Sequence, residues 1–240
     1  MEALTKALQS DTLMKLVIGE GEKSATFYVS KTTLQHTSAC FRAAIRNAHL
    51  GGGDFDTIPF PEDNLEAWKV LLHWLITREL PAAAELLLVD HEAEDKSTVN
   101  FSDHTLCIRC WALGDKFAMP AFQDAVMLRL LESLDSEALT VAEALVGFEN
   151  TPPGSKLREV MAEELAVELQ NLNIGPEDMD EFDGIAGFSS LLVEKVRRLA
   201  RLNNVGGWRP RMERVRLDAW DGVSPNRYLV SDKESQRLHL

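Results

Sequence analysis

The chain has 240 residues, 45% of them hydrophobic, and a formal net charge of -13. A chain of this length can bury one sizeable core or two modest ones without disulfides or metals. Its acidity argues against non-specific nucleic-acid binding, which depends on Lys and Arg neutralising phosphates. Three cysteines, Cys40, Cys107 and Cys110, make no disulfide framework and suit a reducing compartment. With no signal-like apolar run at the start and no later run of about 20 apolar residues, the expected location is the cytoplasm or nucleus, and no membrane partner is expected.

Residues 1–10 read as an N-terminal arm, in which Leu4 and Leu8 would share one face of a short helix. From Asp11, the residues Met14, Leu16 and Ile18 alternate with Lys15 and Val17, and Ala25, Phe27 and Val29 alternate after a Gly-Glu-Gly-Glu-Lys-Ser turn. That period of two predicts a β-hairpin with one buried face. At Ser30 the period changes to helical, predicting a helix pair over Lys31 to His36 and Ser38 to Asn47, with Ser30 and Thr37 or Ser38 as caps.

Gly51-Gly-Gly-Asp54 interrupts regular structure, and Phe55 to Phe60, closed by Pro59 and Pro61, reads as a third strand. A helix over Asn64 to Thr77 follows, marked by the D-x-x-E spacing of Asp63 and Glu66, by Leu65, Trp68, Leu72, Leu75 and Ile76 at helical intervals, and by Pro81 beyond its end. Residues 82–103 are rich in acid. They suit a solvated loop, or a metal or partner site on Asp90, His91 and Glu92, although three consecutive side chains point in different directions.

Further helices are predicted over His104 to Phe117, Pro120 to Leu131, Ser136 to Phe148, Ser155 to Leu172 and Ile185 to Leu202. In the fourth of these, Leu157, Val160, Met161, Leu165 and Leu169 form one face, while Glu159, Glu163, Glu164 and Glu168 lie mostly off it. An acidic run from Glu177 to Asp183 precedes the last helix, and Lys195-Val-Arg-Arg-Leu-Ala-Arg201 ends it, matching the helix dipole. The tail, residues 203–240, carries Trp208, Trp220 and Tyr228 among basic residues and cannot be one helix. It suits an arm that folds back on the acidic body, or a basic aromatic segment that meets RNA.

The order hairpin, helix pair, strand, capped helix, helix pair resembles the BTB/POZ domain, over roughly residues 11–134. The residues that carry the resemblance are Asp11, Phe27-Tyr-Val-Ser-Lys31, Ser38-Ala-Cys-Phe41, Ile58-Pro-Phe-Pro-Glu-Asp63 and Trp111-Ala-Leu-Gly-Asp-Lys-Phe-Ala-Met119. Phe148-Glu-Asn-Thr-Pro-Pro-Gly-Ser-Lys-Leu-Arg158 is similar to the segment that follows this domain in fungal BTB-domain proteins of uncharacterised role. The sequence departs from the pattern at Ser30, where His is usual, at Ile76-Thr-Arg78, where Tyr-Thr-Gly is common, and in the length of the acidic insert 82–103.

The resemblance implies an α/β (α+β) fold, a small β-sheet flanked by helices, followed by an α-helical region over 135–202. It implies a homo-oligomerising scaffold or adaptor whose partners are proteins, with a homodimer expected. Candidate interface residues on this basis are Leu4, Leu8, Asp11, Lys31, Leu34, Phe101 and Asp103. In transcription-regulator members, positions matching Asp11 and Lys31 line a charged pocket at the dimer interface; Asp11 equally suits a turn or cap acid. Phe101-Ser-Asp103 has the chemistry by which other members bind a cullin as ubiquitin-ligase adaptors, while Phe101 equally suits a core anchor.

No catalytic residues, metal or cofactor are expected. Cys107-Ile-Arg-Cys110 with His104 invites a zinc reading, but steps of three residues on a helix turn these side chains about 60° each, so all three cannot face one ion. No G-x-S-x-G, G-x-x-x-x-G-K-[ST], G-x-G-x-x-G or H-E-x-x-H occurs. A small α/β head before an all-helical region is also the layout of glutathione transferases, but the N-terminal thiol-activating residue and the strand-initial proline which that enzyme needs are not in place. Phe41, Trp68 and Trp111 are expected in the core.

Overall fold

The computed structural model describes residues 11–21, 24–50, 56–82, 104–204 and 228–230. These form a mixed α/β protein with a small three-stranded sheet and mostly helices. The chain divides into two compact units, one within residues 1–80 together with Leu113–Met119, the other within 81–112 and 120–240. The division between them falls at Leu80, with Leu113–Met119 returning to the first unit.

In the first unit, β1 (Leu13–Ile18) pairs antiparallel with β2 (Ala25–Ser30), Leu16 opposite Phe27. On its other side β1 pairs in parallel with β3 (Thr57–Phe60), Leu16 opposite Ile58, giving the order β2-β1-β3. A parallel neighbour needs a crossover, and α1 (Lys31–Thr37) and α2 (Ala39–Leu50) lie on that path, α1 packing on β2 and α2 on β3. Met14, Leu16 and Ile18 point inward and are fully buried with Leu34, Phe41 and Trp68. The partner face on β2 is only half-buried, because β2 is an edge strand.

The next helix, α3 (Leu65–Thr77), is capped differently from the expected D-x-x-E box. Asn64 is the N-cap, its Oδ1 accepting from the Ala67 N–H at 2.9 Å. Asp63 is thereby left to accept from Trp68 Nε1 at 2.9 Å and to pair with Lys116 Nζ at 2.5 Å. The helix ends at Arg78, which adopts a left-handed conformation and lays its guanidinium 4.7 Å from the Trp74 ring centroid. Its buried face is Ala67, Trp68, Val70, Leu71, Trp74 and Leu75, and Ile76, expected on that face, is 83% exposed. At about 100° per residue those six share one side of α3, and the step beyond Leu75 carries Ile76 past it to the solvent.

Leu113–Met119 belongs to this unit for an aromatic reason. The Phe117 ring stacks on Phe41 at 4.5 Å and meets Trp68 and Phe60 edge-on at 5.3 and 5.5 Å. Offset and edge-on rings add attraction to the area they bury.

The second unit takes the start of α4 (His104–Lys116), then α5 (Pro120–Ser136), α6 (Val141–Glu149), α7 (Lys156–Gln170), a 3₁₀ helix (Pro176–Phe182) and α8 (Phe188–Asn204). Ser136, expected to open a helix, closes α5; α6 begins later, on a capping box between Thr140 and Glu143. The acidic run forms the 3₁₀ helix rather than the start of α8, whose first turn holds no acid. Phe182 and Phe188 stack at 4.0 Å and both pack edge-on to Phe148.

α7 packs on α6 and α8 and is buried over nearly its whole length. Close approach to α6 depends on Gly147, where a Cβ would lie 3.2 Å from Met161 Cγ. The acids expected off the apolar face of α7 are buried too: Glu163 is 9%, Glu164 0% and Glu168 1% exposed.

Candidate functional site

In the first unit, the strand face opposite the core carries Leu13, Lys15 and Val17 of β1 beside Thr26 and Tyr28 of β2. Alternation sends these side chains outward. Leu13 is 58% and Tyr28 65% exposed. Lys15 stands opposite Tyr28 and Leu13 opposite Ser30, so Leu13 and Tyr28 are diagonal neighbours within reach of each other on one face. Two large apolar side chains on an edge hairpin make a patch that water covers poorly.

Asp11 lies at the end of this face. Its Oδ1 accepts from the Thr32 N–H at 3.1 Å and from Thr32 Oγ1 at 2.9 Å, and Ser30 Oγ donates to its Oδ2. Ser30 Oγ also accepts from the Thr33 N–H at 3.0 Å, capping α1. The hydrogen bond from Ser30 holds the Asp11 carboxyl below its ordinary pKa; desolvation opposes this, and the Thr32 and Thr12 bonds add to the lowering. A carboxylate at a helix N-terminus also sits favourably in the helix field. Asp11 thus does the work of a cap acid, and it ties the strand to the start of α1 across the hairpin.

The backbone N–H of Lys31 donates to Thr12 O at 2.9 Å, and its side chain is partly exposed at the same end. Leu34, expected at an interface, is instead fully buried in the core of this unit and presents no surface of the single chain. Leu4, Leu8, Phe101 and Asp103, with the acidic insert, lie outside the described residues.

Leu13 and Tyr28 were not singled out from the sequence. The signal was there: once Met14, Leu16 and Ile18 are assigned inward, an apolar residue at 13 and an aromatic one at 28 must lie on the outer face.

In the second unit, the candidate zinc cysteines are core. Cys107 and Cys110 form no disulfide and are fully buried, and burial pushes the Cys110 thiol well above its ordinary pKa. His104, 2% exposed, faces Glu143 through Nδ1 at 3.4 Å. Burial opposes the charged imidazole, but the hydrogen bond and charge of Glu143 outweigh it and hold His104 above its ordinary value. No group of residues suited to hold a metal ion occurs among the described residues, and no described helix is long and apolar enough to cross a membrane.

The segment Phe148 to Arg158 closes on itself. Thr151 Oγ1 donates to Gly147 O at 2.6 Å, Ser155 Oγ to Thr151 Oγ1 at 3.2 Å, and Ser155 caps α7. Arg158 reaches back to Phe148 O through Nη2 and across to Ala186 O through Nη1 at 2.8 Å. These residues fix a turn between two helices.

Beyond the tail's start only Tyr228, Leu229 and Val230 are described, and they lie against the helical unit. Tyr228 is 7% exposed and donates its hydroxyl to Glu163; the Val230 N–H donates to Asp124 Oδ1. Of the two fates expected for the tail, these residues take the folded-back one.

No family model, curated protein or solved structure matches this chain.

Proposed function

We propose that the chain is a non-enzymatic protein-interaction module of the BTB/POZ type, whose first unit pairs with a second copy through the outer face of its hairpin. The observation that carries this reading is the pair Leu13 and Tyr28, exposed as diagonal neighbours on the outer face of the hairpin, at the end where Asp11 and Lys31 lie. A tyrosine such as Tyr28 is among the residue types that contribute most of the binding energy in protein interfaces, and Leu13 beside it adds apolar area.

The BTB resemblance is supported by the parallel third strand, by the helix pair that crosses to it, and by the work of its signature residues. Lys116 pairs with Asp63, and Phe117 fills the aromatic cluster. Reduced thiols at Cys40, Cys107 and Cys110 support a reducing compartment, the cytoplasm or nucleus. Leu4 and Leu8, just ahead of Asp11 in the chain, would add apolar area to the interface.

Light scattering or sedimentation of the full chain across a hundred-fold concentration range tests this. The wild type should reach dimer mass, and Leu13→Asp with Tyr28→Asp should stay monomeric with unchanged circular dichroism. A wild type that is monomeric throughout overturns the proposal.

A further inference from the structure

The three described tail residues sit on two buried carboxylates from different helices. Glu163 of α7 uses one carboxylate oxygen for Arg198 Nη1, at 3.0 Å, and the other for the Tyr228 hydroxyl. Asp124 of α5 takes the backbone N–H of Val230. Both acids are nearly covered, at 9% and 5% exposure, while Val230 remains 39% exposed. Among the described residues, this slot takes one phenol, one main-chain N–H two residues later, and the half-buried Leu229 between them.

We infer that Asp124 and Glu163 form a receptor for a short tyrosine-bearing segment, and that Tyr228–Val230 is its resident occupant, held in cis and open to exchange for a like segment. A covered carboxylate that loses a hydrogen-bond donor is costly, so replacing one occupant by another is easier than emptying the slot. The chemistry also sets a limit on the ligand. A phosphate on the tyrosine oxygen would bring nearly two negative charges against Glu163, so the slot accepts the free phenol and rejects the phosphorylated one.

The test uses a labelled peptide with the sequence of residues 226–232, Asn-Arg-Tyr-Leu-Val-Ser-Asp, titrated into the full chain and followed by fluorescence anisotropy. A tethered occupant competes at an effective concentration of about 1 mM. For a free-peptide Kd of about 0.1 mM, the wild type should therefore bind about ten-fold more weakly than Tyr228→Ala. The phosphotyrosine form of the peptide should bind Tyr228→Ala at least ten-fold more weakly than the plain form. Equal affinity for wild type and Tyr228→Ala, or no binding to either, overturns the inference. So does indifference to the phosphate.

Should Tyr228→Ala fail to fold, Tyr228→Phe keeps the ring and loses the hydroxyl bond. It should still bind the peptide several-fold more tightly than wild type, and behaviour like wild type would make the tail a fixed part of the core. A fall in molecular mass on Tyr228→Ala would mean that the occupant comes from a second copy, and it overturns the cis assignment.

Discussion

Replacing Phe117 by Ala tests whether the first unit depends on residues that return to it from far along the chain. Phe117 is 5% exposed, and its ring has aromatic neighbours on three sides, Phe41, Trp68 and Phe60. Truncating a buried Phe costs about 3 to 5 kcal/mol, from lost transfer energy and the cavity left behind. The upper half of that range applies here, because the neighbours are rigid rings that close a cavity poorly. Lys116, next to it, is a control: its side chain is 49% exposed, and its pair with Asp63 is worth about 1 kcal/mol or less. Urea unfolding followed by tryptophan fluorescence reads both, and Trp68, which touches Phe117, reports on this unit. A loss below about 1 kcal/mol for Phe117→Ala at unchanged m-value would refute the reasoning, since conservative surface changes alone stay within about 0.5 kcal/mol. The cycle of Phe41→Leu and Phe117→Leu should show coupling of about 0.5 to 1.5 kcal/mol, and strict additivity would mean that the rings do not stack.

Two further outcomes follow from buried titratable groups and thiols. His104 has a folded pKa raised above its ordinary 6.5 and Glu143 one lowered below its ordinary 4.5. The histidine's contribution is full below 6.5 and is lost as pH rises through its folded value. That of the glutamate is present above 4.5 and is lost as pH falls through its own folded value. The stability of this unit should therefore be highest between 4.5 and 6.5 and decline as pH rises above 6.5. His104→Asn should flatten the decline, and an unchanged slope in thermal melts across pH 6 to 8 sinks the assignment. With a thiol reagent under native conditions, Cys40, which is partly exposed, should react first, and Cys107 and Cys110 only at the rate of unfolding; comparable native rates for all three would contradict their burial.

Where local pattern decides a structure, the chain could be read in advance. Met14, Leu16 and Ile18 alternate and are buried, and Ser30 caps α1. A cap is a bond between residues three apart, and a strand face needs only its own alternation. Ile76 shows the limit even locally, since two neighbouring apolar residues cannot be sorted without knowing which way the core lies. The start of α6 shows another: Thr140 and Glu143 make the reciprocal capping box, and nothing at Ser136 competes with it. Leu34 was legible as an apolar helical position but not as core or interface, because both bury it.

The acids were the least legible residues, for a single reason. A carboxylate on a helix is assigned to water when only its neighbours in sequence are considered. Yet Asp63 takes Lys116 and Trp68, Glu143 takes His104, and Glu163 takes Arg198 and Tyr228. Their partners stand as far as 65 residues away, at Tyr228 for Glu163. Such pairs leave no periodic trace, so the net charge of -13 reads as a solvated surface when part of it is structural. Removing a buried partner is the costly step, because the acid that remains is left covered. The same logic applies to Asp11, whose acceptors hold Ser30 and Thr32 in place at the head of the hairpin. Asp11→Asn should therefore loosen the start of α1 before it affects any interface, which separates the structural role of this acid from the apolar patch beside it.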